Sequence, residues 1–467
     1  MNTVSEIEVR PAIEVAATPW GVFAVASIAV FLVSIDTTVL YAAFGAIRAA
    51  FPASTVADLS WVLNAYTVVY AALLVPAGRL VDAHGRKRVF QIGLMLFLAA
   101  SAACGAASHI GMLIGARALQ AVGAALLTPS SLALVLGAFP AERRAIVVSL
   151  WGAVGGLAAA LGPSVGAAVV DALGWQWAFF LNLPFGLLAW WQGQRRLTEW
   201  RSAAGAVPVD GVGIALLIVG VGALAFGIVQ ADALGWRSPL VLGSGATGLA
   251  LLLIFIAWAR STPHPAVDLS LFAERTYRHV NLATLSFGVA FSMMFLGFFF
   301  LMQTWQYSLP RAGLAVSPGP LLVVPVAMVA GRIAARVGHR PMLVAGSLLY
   351  AAGGLWFYLR AGPAPDYLGT MLPGLVLTGT SVGMVLPSLS GAAVARLATA
   401  SFGVGSAVNQ AVRQIGSVLG VAVTVALAGH AHPHMTDFRW LYATHIALSL
   451  LTALLCLRVD TRPSMRR

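Results

Sequence analysis

Apolar residues run along this chain in long stretches, broken by short polar segments. A helix that crosses a bilayer needs about 20 mostly apolar residues. Fourteen stretches meet that requirement: Trp20–Phe44, Leu59–Val81, Val89–Ser108, Gly111–Phe139, Ala145–Val170, Trp177–Gly193, Gly211–Gln230, Pro239–Ala259, Asn281–Gln303, Gly313–Arg336, Met342–Leu359, Leu368–Leu389, Phe402–Gly429 and Phe438–Leu457. The predicted architecture is therefore an all-α integral membrane protein with 14 spans.

One polar break stands out. Gly78–Val89 reads GRLVDAHGRKRV and carries five charged residues in twelve. It returns, degraded, as GRIAARVGHRPM at Gly331–Met342. Gly78, Arg79 and Gly85 match Gly331, Arg332 and Gly338, and Arg340 takes the place of Lys87. A fainter match joins TPSSLAL at Thr128 to LPSLSGA at Leu386. The offsets, 253 and 258 residues, are nearly equal. Spans one to six thus correspond to nine to fourteen, with spans seven and eight inserted between them. Paired halves of this kind mark secondary transporters, which carry the substrate path between the halves.

Composition fits the same class. Hydrophobic residues make up 59%, charged residues 9%, and mean hydropathy is +0.87. A soluble domain of 467 residues does not bury that much apolar surface. The net charge of +12 reflects orientation rather than nucleic-acid binding, because the basic residues sit at span ends. With the N-terminus inside, 21 Arg and Lys fall on cytoplasmic segments and 5 on outer ones. That bias predicts both termini in the cytoplasm. Met1–Pro19, polar and acidic, is expected to be a cytoplasmic tail rather than a signal peptide. The expected organisation is a tail over 1–19, a six-helix bundle over 20–194, a linker with two extra spans over 195–278, a second six-helix bundle over 279–458, and a tail over 459–467. Cys104 and Cys456 are far apart inside apolar runs, so no disulfide or metal site is expected, and no His motif suggests one.

The motifs resemble those of the major facilitator superfamily, and more narrowly of its drug:proton antiporters with fourteen spans. GRLVDAHGRKRV resembles the superfamily's loop between spans two and three. SIDTTVL at Ser34, RALQAVGAALLTPSS at Arg117, LGPSVGAAV at Leu161, WQWAFFLNLPFG at Trp175 and NQAVRQIGSVLGVAV at Asn409 resemble its patterns in spans one, four, five, six and thirteen. The chain departs from them at Tyr41, Gly45, Ala121 and Ala167. The resemblance implies that the loop, with Gly78, Arg79, Asp82, Gly85 and Arg86, gates the outward-open state. It also implies that the span-five motif, with Gly162, Pro163 and Gly166, accompanies export rather than uptake. Read from the residues alone, the loop anchors topology. Span five then presents a face of small residues for close helix packing.

Candidate chemistry is sparse. Asp36 is the only acid well inside any span, where a carboxylate is costly and usually functional. It lies about 12 Å from the outer end of its helix, and Arg117 about 9 Å deep in span four. The two are expected to pair, with Gln120 one turn on sharing the network. An Arg partner favours a charged carboxylate and burial a neutral one, so alternate opening of the site would switch its proton occupancy. The competing reading is a static ion pair. Arg413 is the other buried charge, about 16 Å into span thirteen, with Asn409 on the same face. Asn64, Tyr66, Gln120, Met294, Phe298, Asn409 and Arg413 are candidates for the substrate path, although amphipathic and apolar residues of this kind also face lipid.

The expected function is proton-coupled export of small amphipathic or lipophilic compounds, as in multidrug efflux. The alternatives are a dedicated exporter of one metabolite, antibiotic or siderophore and, further off, an importer. The chain holds no paired acids, His cluster or GKS/T phosphate loop, which speaks against a membrane-embedded enzyme and against ATP as the direct energy source. The expected partners are a small-molecule substrate, protons and the lipid bilayer of the cell membrane. No nucleic acid and no cofactor is expected, and the chain is read as a monomer.

Overall fold

A backbone inside hydrocarbon must satisfy its own N–H and C=O groups, and a helix does so locally. The computed structural model follows that rule over residues 18–199, 210–293, 295–397, 402–428 and 435–461, which are the residues described below. The first part of the chain forms α1 (Pro19–Ala50), α2 (Val56–His84), α3 (Arg86–Gly105), α4 (Ile110–Ala138), α5 (Ala141–Leu173), α6 (Trp177–Phe180) and α7 (Asn182–Arg196). Next come α8 (Gly211–Leu234) and α9 (Pro239–Ser261). The last part forms α10 (Arg275–Ser292), α11 (Phe295–Gln303), α12 (Leu309–Val316), α13 (Pro318–Val337), α14 (Arg340–Arg360), α15 (Leu372–Val394), α16 (Phe402–Ala428) and α17 (Met435–Cys456).

Among the described residues, eleven helical stretches are long and apolar enough to cross a membrane. Three of the expected spans are not among them. Trp177–Gly193 is split at Leu181 into α6 and α7, and Asn281–Gln303 is split after Met293 into α10 and α11. Neither piece of a split span reaches the length of a crossing by itself, apart from α10, whose first turn is polar. Phe402–Gly429 runs past the described residues at its far end.

Packing follows the repeat. α1 lies against α4, α5 and α7, and α3 against α4 and α7. In the second part α13 and α14 pack on α15, and α10 packs on α16 and α17. Two seams join the parts: α2 along α16, and α5 along α12 and α13. Large apolar side chains such as Leu253 and Leu359, 58% and 69% exposed, form the outward surface. In water that surface would be a liability, whereas in lipid it costs nothing.

The α8–α9 pair packs on α2 and α16 and is fastened at one end by Asp210. Its carboxylate accepts from the Gly213 and Ala266 N–H groups, both at 2.8 Å, and from Trp258 Nε1 at 3.0 Å. Burial pushes the Asp210 pKa up, but these three bonds and the nearby Arg79 outweigh it, so the carboxyl sits below its ordinary range. Arg79 in turn donates to the His264 carbonyl, which ties α2 to the segment after α9.

The stretch read as a polar loop, Gly78–Val89, is mostly helix. Only Gly85 interrupts it, with φ of 100°, a region that favours glycine. α2 ends there and α3 begins one residue later. Glu199, just past α7, accepts from the exposed N–H groups of Lys87 and Arg88 at 3.2 and 3.0 Å. Lys87 Nζ donates to the Gln194 carbonyl, and Arg86 donates to the Ala133 carbonyl. The second copy repeats this plan. Gly338, with φ of 86°, separates α13 from α14, and Thr461, just past α17, accepts from the His339 N–H at 2.7 Å.

Candidate functional site

Four buried polar side chains from three other helices converge on Asp36, which is 3% exposed. α1 supplies Asp36, α3 Ser101, α4 both Arg117 and Gln120, and α7 its first residue, Asn182. The break at Leu181 ends α6 and lets Asn182 turn inward at the start of α7. Arg117 and Gln120 share a face because they are three residues apart on one helix.

The geometry leaves the carboxylate fully engaged. Asp36 Oδ2 accepts from Arg117 Nη1 at 2.5 Å. Asp36 Oδ1 accepts from Gln120 Nε2 and Asn182 Nδ2, both at 2.8 Å. The same two amides donate to Ser101 Oγ at 2.7 and 3.0 Å. Arg117 also donates to Gln120 Oε1 at 2.5 Å and to the Val62 carbonyl at 3.1 Å. The Tyr66 ring lies beneath its guanidinium, with the centroid 4.1 Å from Cζ. Such a cation–π contact adds to the binding of an already paired Arg.

This arrangement can do one piece of chemistry. A proton placed on Asp36 removes the charge that balances Arg117 in a site closed to water. A buried charge without a partner is strongly unfavourable, so protonation and the packing of α1 against α3, α4 and α7 are thermodynamically linked.

The other candidate residues fall in several places. Tyr66 and Gln120 belong to the cluster around Asp36. Asn64 is 1% exposed on α2, and neither atom of its amide has a partner. Asn409 donates to Asn281 Oδ1 at 3.1 Å and to Thr284 Oγ1 at 2.9 Å, so it binds α16 to α10. Phe298 is buried in an apolar cluster with Ala42 of α1 and Ala167 of α5. Met294 lies outside the described residues, as does the side chain of Asp82. Arg413 is half-buried on α16, and its backbone rests on Gly288 of α10.

The span-five motif is a packing seam. A Cβ at Gly162 would sit 1.8 Å from Thr38 Oγ1, and one at Gly166 would sit 2.9 Å from Val39 Cα. On the other side of α5, the Pro163 carbonyl lies against Gly313 of α12, and Ser164 hydrogen-bonds to Ser317. α5 therefore touches α1 within one turn of Asp36 and touches the second part of the chain through the same few residues.

Ser101, Asn182 and Glu199 escaped the sequence reading. Asn182 offered a signal, being a polar residue in the apolar run WAFFLNLPFG. Ser101 offered none, since a lone small hydroxyl is common inside spans.

Comparison with known proteins identifies the family and the fold. The chain matches the Major Facilitator Superfamily over residues 26–209, 210–421 and 280–467. It is 33% identical to the puromycin resistance protein pur8 of Streptomyces alboniger, over 90% of this chain and 84% of that one. It is 31% identical to the multidrug resistance protein Stp of Mycobacterium tuberculosis, over 84% and 73%. Among solved structures, the D-xylose–proton symporter shares the fold, with a TM-score of 0.67 at 15% identity, covering 96% of this chain and 98% of that one. These likenesses and the apolar helices describe a multi-pass transporter of the cell membrane rather than an enzyme. The chain belongs to the Major Facilitator Superfamily.

Proposed function

We propose that this protein is a proton-coupled exporter of small amphipathic compounds that works by alternating access. The buried Asp36–Arg117 pair, with Gln120 and Asn182 on the same carboxylate, is the observation that carries this reading. Asp36 serves as the proton-binding group, and Arg117 holds it when it is ionised. In this reading the chain crosses the membrane fourteen times with both termini in the cytoplasm. The split units α6–α7 and α10–α11, together with α16, complete the count. The two six-helix bundles close around the path over 20–194 and 279–458, with 195–278 as an inserted linker. Gly78, Arg79, Asp82, Gly85 and Arg86 form the cytoplasmic gate, and Gly162, Pro163 and Gly166 the seam along which α5 moves. One chain acts alone.

Export has independent support in the relatives, which are named for resistance to drugs. A second reading, export of a single compound, is favoured by the relative named for puromycin alone. The deciding experiment measures drug accumulation and proton flux in proteoliposomes, wild type against Asp36→Asn. Wild-type uptake should follow an imposed pH gradient, and the variant should lose that dependence. Gradient-driven transport that survives in Asp36→Asn would refute the assignment of Asp36.

A further inference from the structure

Arg413 lies in the middle of α16, eleven residues from its first residue, and has no counter-charge among the described residues. Only two ion pairs occur among the described residues, Arg117–Asp36 and Arg396–Asp460, and no hydrogen bond reaches the Arg413 side chain. Arginine cannot shed its proton in a protein. An unpaired guanidinium at this depth is costly and marks a functional position by default. The charge that balances it is not available nearby. Asp36 is the only acid well inside a span, and both its oxygens are filled by Arg117, Gln120 and Asn182. The remaining acids of the second part, such as Glu274, Asp366 and Asp437, sit at helix starts.

The surroundings of Arg413 are ordered and polar on one side. α16 lies along α2 at the seam between the two parts of the chain. Across that seam α2 presents Tyr70 toward the face of α16 that carries Gln410 and Arg413, close enough for the guanidinium and the phenol to interact electrostatically. Tyr70 and Thr128 Oγ1 hydrogen-bond at 2.8 Å. Thr128 already gives its own proton to the Ala124 carbonyl, so Tyr70 is the donor in that bond. The Tyr70 oxygen is left to face Arg413 as a weak dipole and cannot neutralise it. Tyr70 also stacks on Tyr66 at 5.8 Å, and Tyr66 lies under Arg117. A continuous aromatic wall therefore joins the unpaired cation to the carboxylate cluster. Gly288 holds the α16 backbone in place behind Arg413: a Cβ there would stand 2.9 Å from the Arg413 carbonyl oxygen.

We infer that Arg413, with Tyr70 and Gln410, forms a subsite for an organic anion, and that the exported compounds carry an ionised acid, such as a carboxylate, on an apolar ring system. The guanidinium fork matches the two oxygens of a carboxylate. Tyr70 and Tyr66 are 3% and 1% exposed here, so the ring system meets the Tyr70 edge only when the seam between α2 and α16 parts, where edge contacts between aromatic groups are favourable. This assignment rests on the export function proposed above and names its substrate class.

The test is equilibrium binding to the full-length protein in nanodiscs of zwitterionic phosphatidylcholine, with no gradient present. Three matched probes are compared: 2-naphthoate, 2-naphthamide and 2-naphthylmethylammonium. The wild type should bind naphthoate best. Arg413→Gln should weaken naphthoate by about tenfold to a hundredfold, the worth of a charge-assisted bond, and leave naphthamide within about twofold. Arg413→Lys, which keeps the charge but not the fork, should fall between them and serves if the Gln variant does not fold. An unchanged naphthoate-to-naphthamide ratio in both variants overturns the subsite. So does a wild type that prefers the ammonium, or one that binds none of the three saturably. Because binding is read without a gradient, failure of proton coupling leaves this ratio untouched, and failure of the ratio leaves proton coupling standing.

Discussion

The Asp36–Arg117 pair can be weighed by removing each charge alone and then both together. Asp36→Asn keeps the side-chain shape but turns one oxygen into a donor. If the amide oxygen faces Arg117, the new NH2 faces two donors, Gln120 Nε2 and Asn182 Nδ2. Asn182 can turn over, because its Oδ1 accepts nothing at present. Gln120 cannot do so without giving up its bond from Arg117. One donor–donor conflict remains, at about 1–3 kcal/mol, and one charge-assisted bond becomes neutral, at about 1 kcal/mol more. Asp36→Asn also leaves the buried Arg117 guanidinium without its counter-charge, so it should cost about 3–5 kcal/mol, as breaking a buried ion pair does. Arg117→Gln strands a buried carboxylate and should cost about 3–5 kcal/mol. The double variant holds no buried charge at all, so its cost should fall at least about 2 kcal/mol short of the sum of the two singles. The assay is unfolding in mixed micelles titrated with dodecyl sulfate, followed by intrinsic tryptophan fluorescence. Additivity within about 0.5 kcal/mol would show that the two charges do not sense each other and would remove the basis for coupling protonation to packing.

Two further outcomes follow from local geometry. Gly162→Ala should lower the thermal stability of the purified protein and abolish transport, because its Cβ would meet Thr38 Oγ1 at 1.8 Å. Gly152→Ala, on the same helix with nothing within 4 Å, should be silent in both assays, and equal effects at the two sites would refute the packing argument. The carboxyl of Asp210 is held below its ordinary range, so its contribution to stability is complete above that range and fades as pH falls through the lowered folded value. The difference in melting temperature between wild type and Asp210→Asn should therefore stay constant from neutral pH down to about pH 4 and shrink only below it. A gap that closes already between pH 7 and pH 5 would contradict the assignment.

How much of this was legible beforehand depends on how far each residue's environment is set by its own helix. Asp36 and Arg117 were readable because charges in apolar runs must be compensated, and a simple rise per residue put both at similar depth. Gln120 followed from its spacing to Arg117. Helical periodicity also put Asn409 on the face of Arg413, but periodicity does not say which neighbour a residue meets, and Asn409 turned out to bridge α16 to α10. The break at Leu181 is marked only by the single polar Asn182 beside it, and the apolar residues on both sides hide it from a reading of hydrophobicity. The small residues of span five were legible as a packing face, whereas their partners, Thr38, Val39 and Gly313, required the tertiary fold.

The contacts of Glu199 and Thr461 have a consequence for how the chain is made. Each comes from the end of one half and satisfies backbone N–H groups at the glycine break within that same half. The ribosome must add 114 residues after Gly85 before Glu199 exists. At ordinary elongation rates that takes about 6–20 s, during which the start of α3 depends on water or lipid headgroups. Once Glu199 emerges, the first half can fasten itself while the second is still unwritten. The second half repeats the manoeuvre with Thr461, which is added 123 residues after Gly338, so its own glycine break waits about as long for its partner.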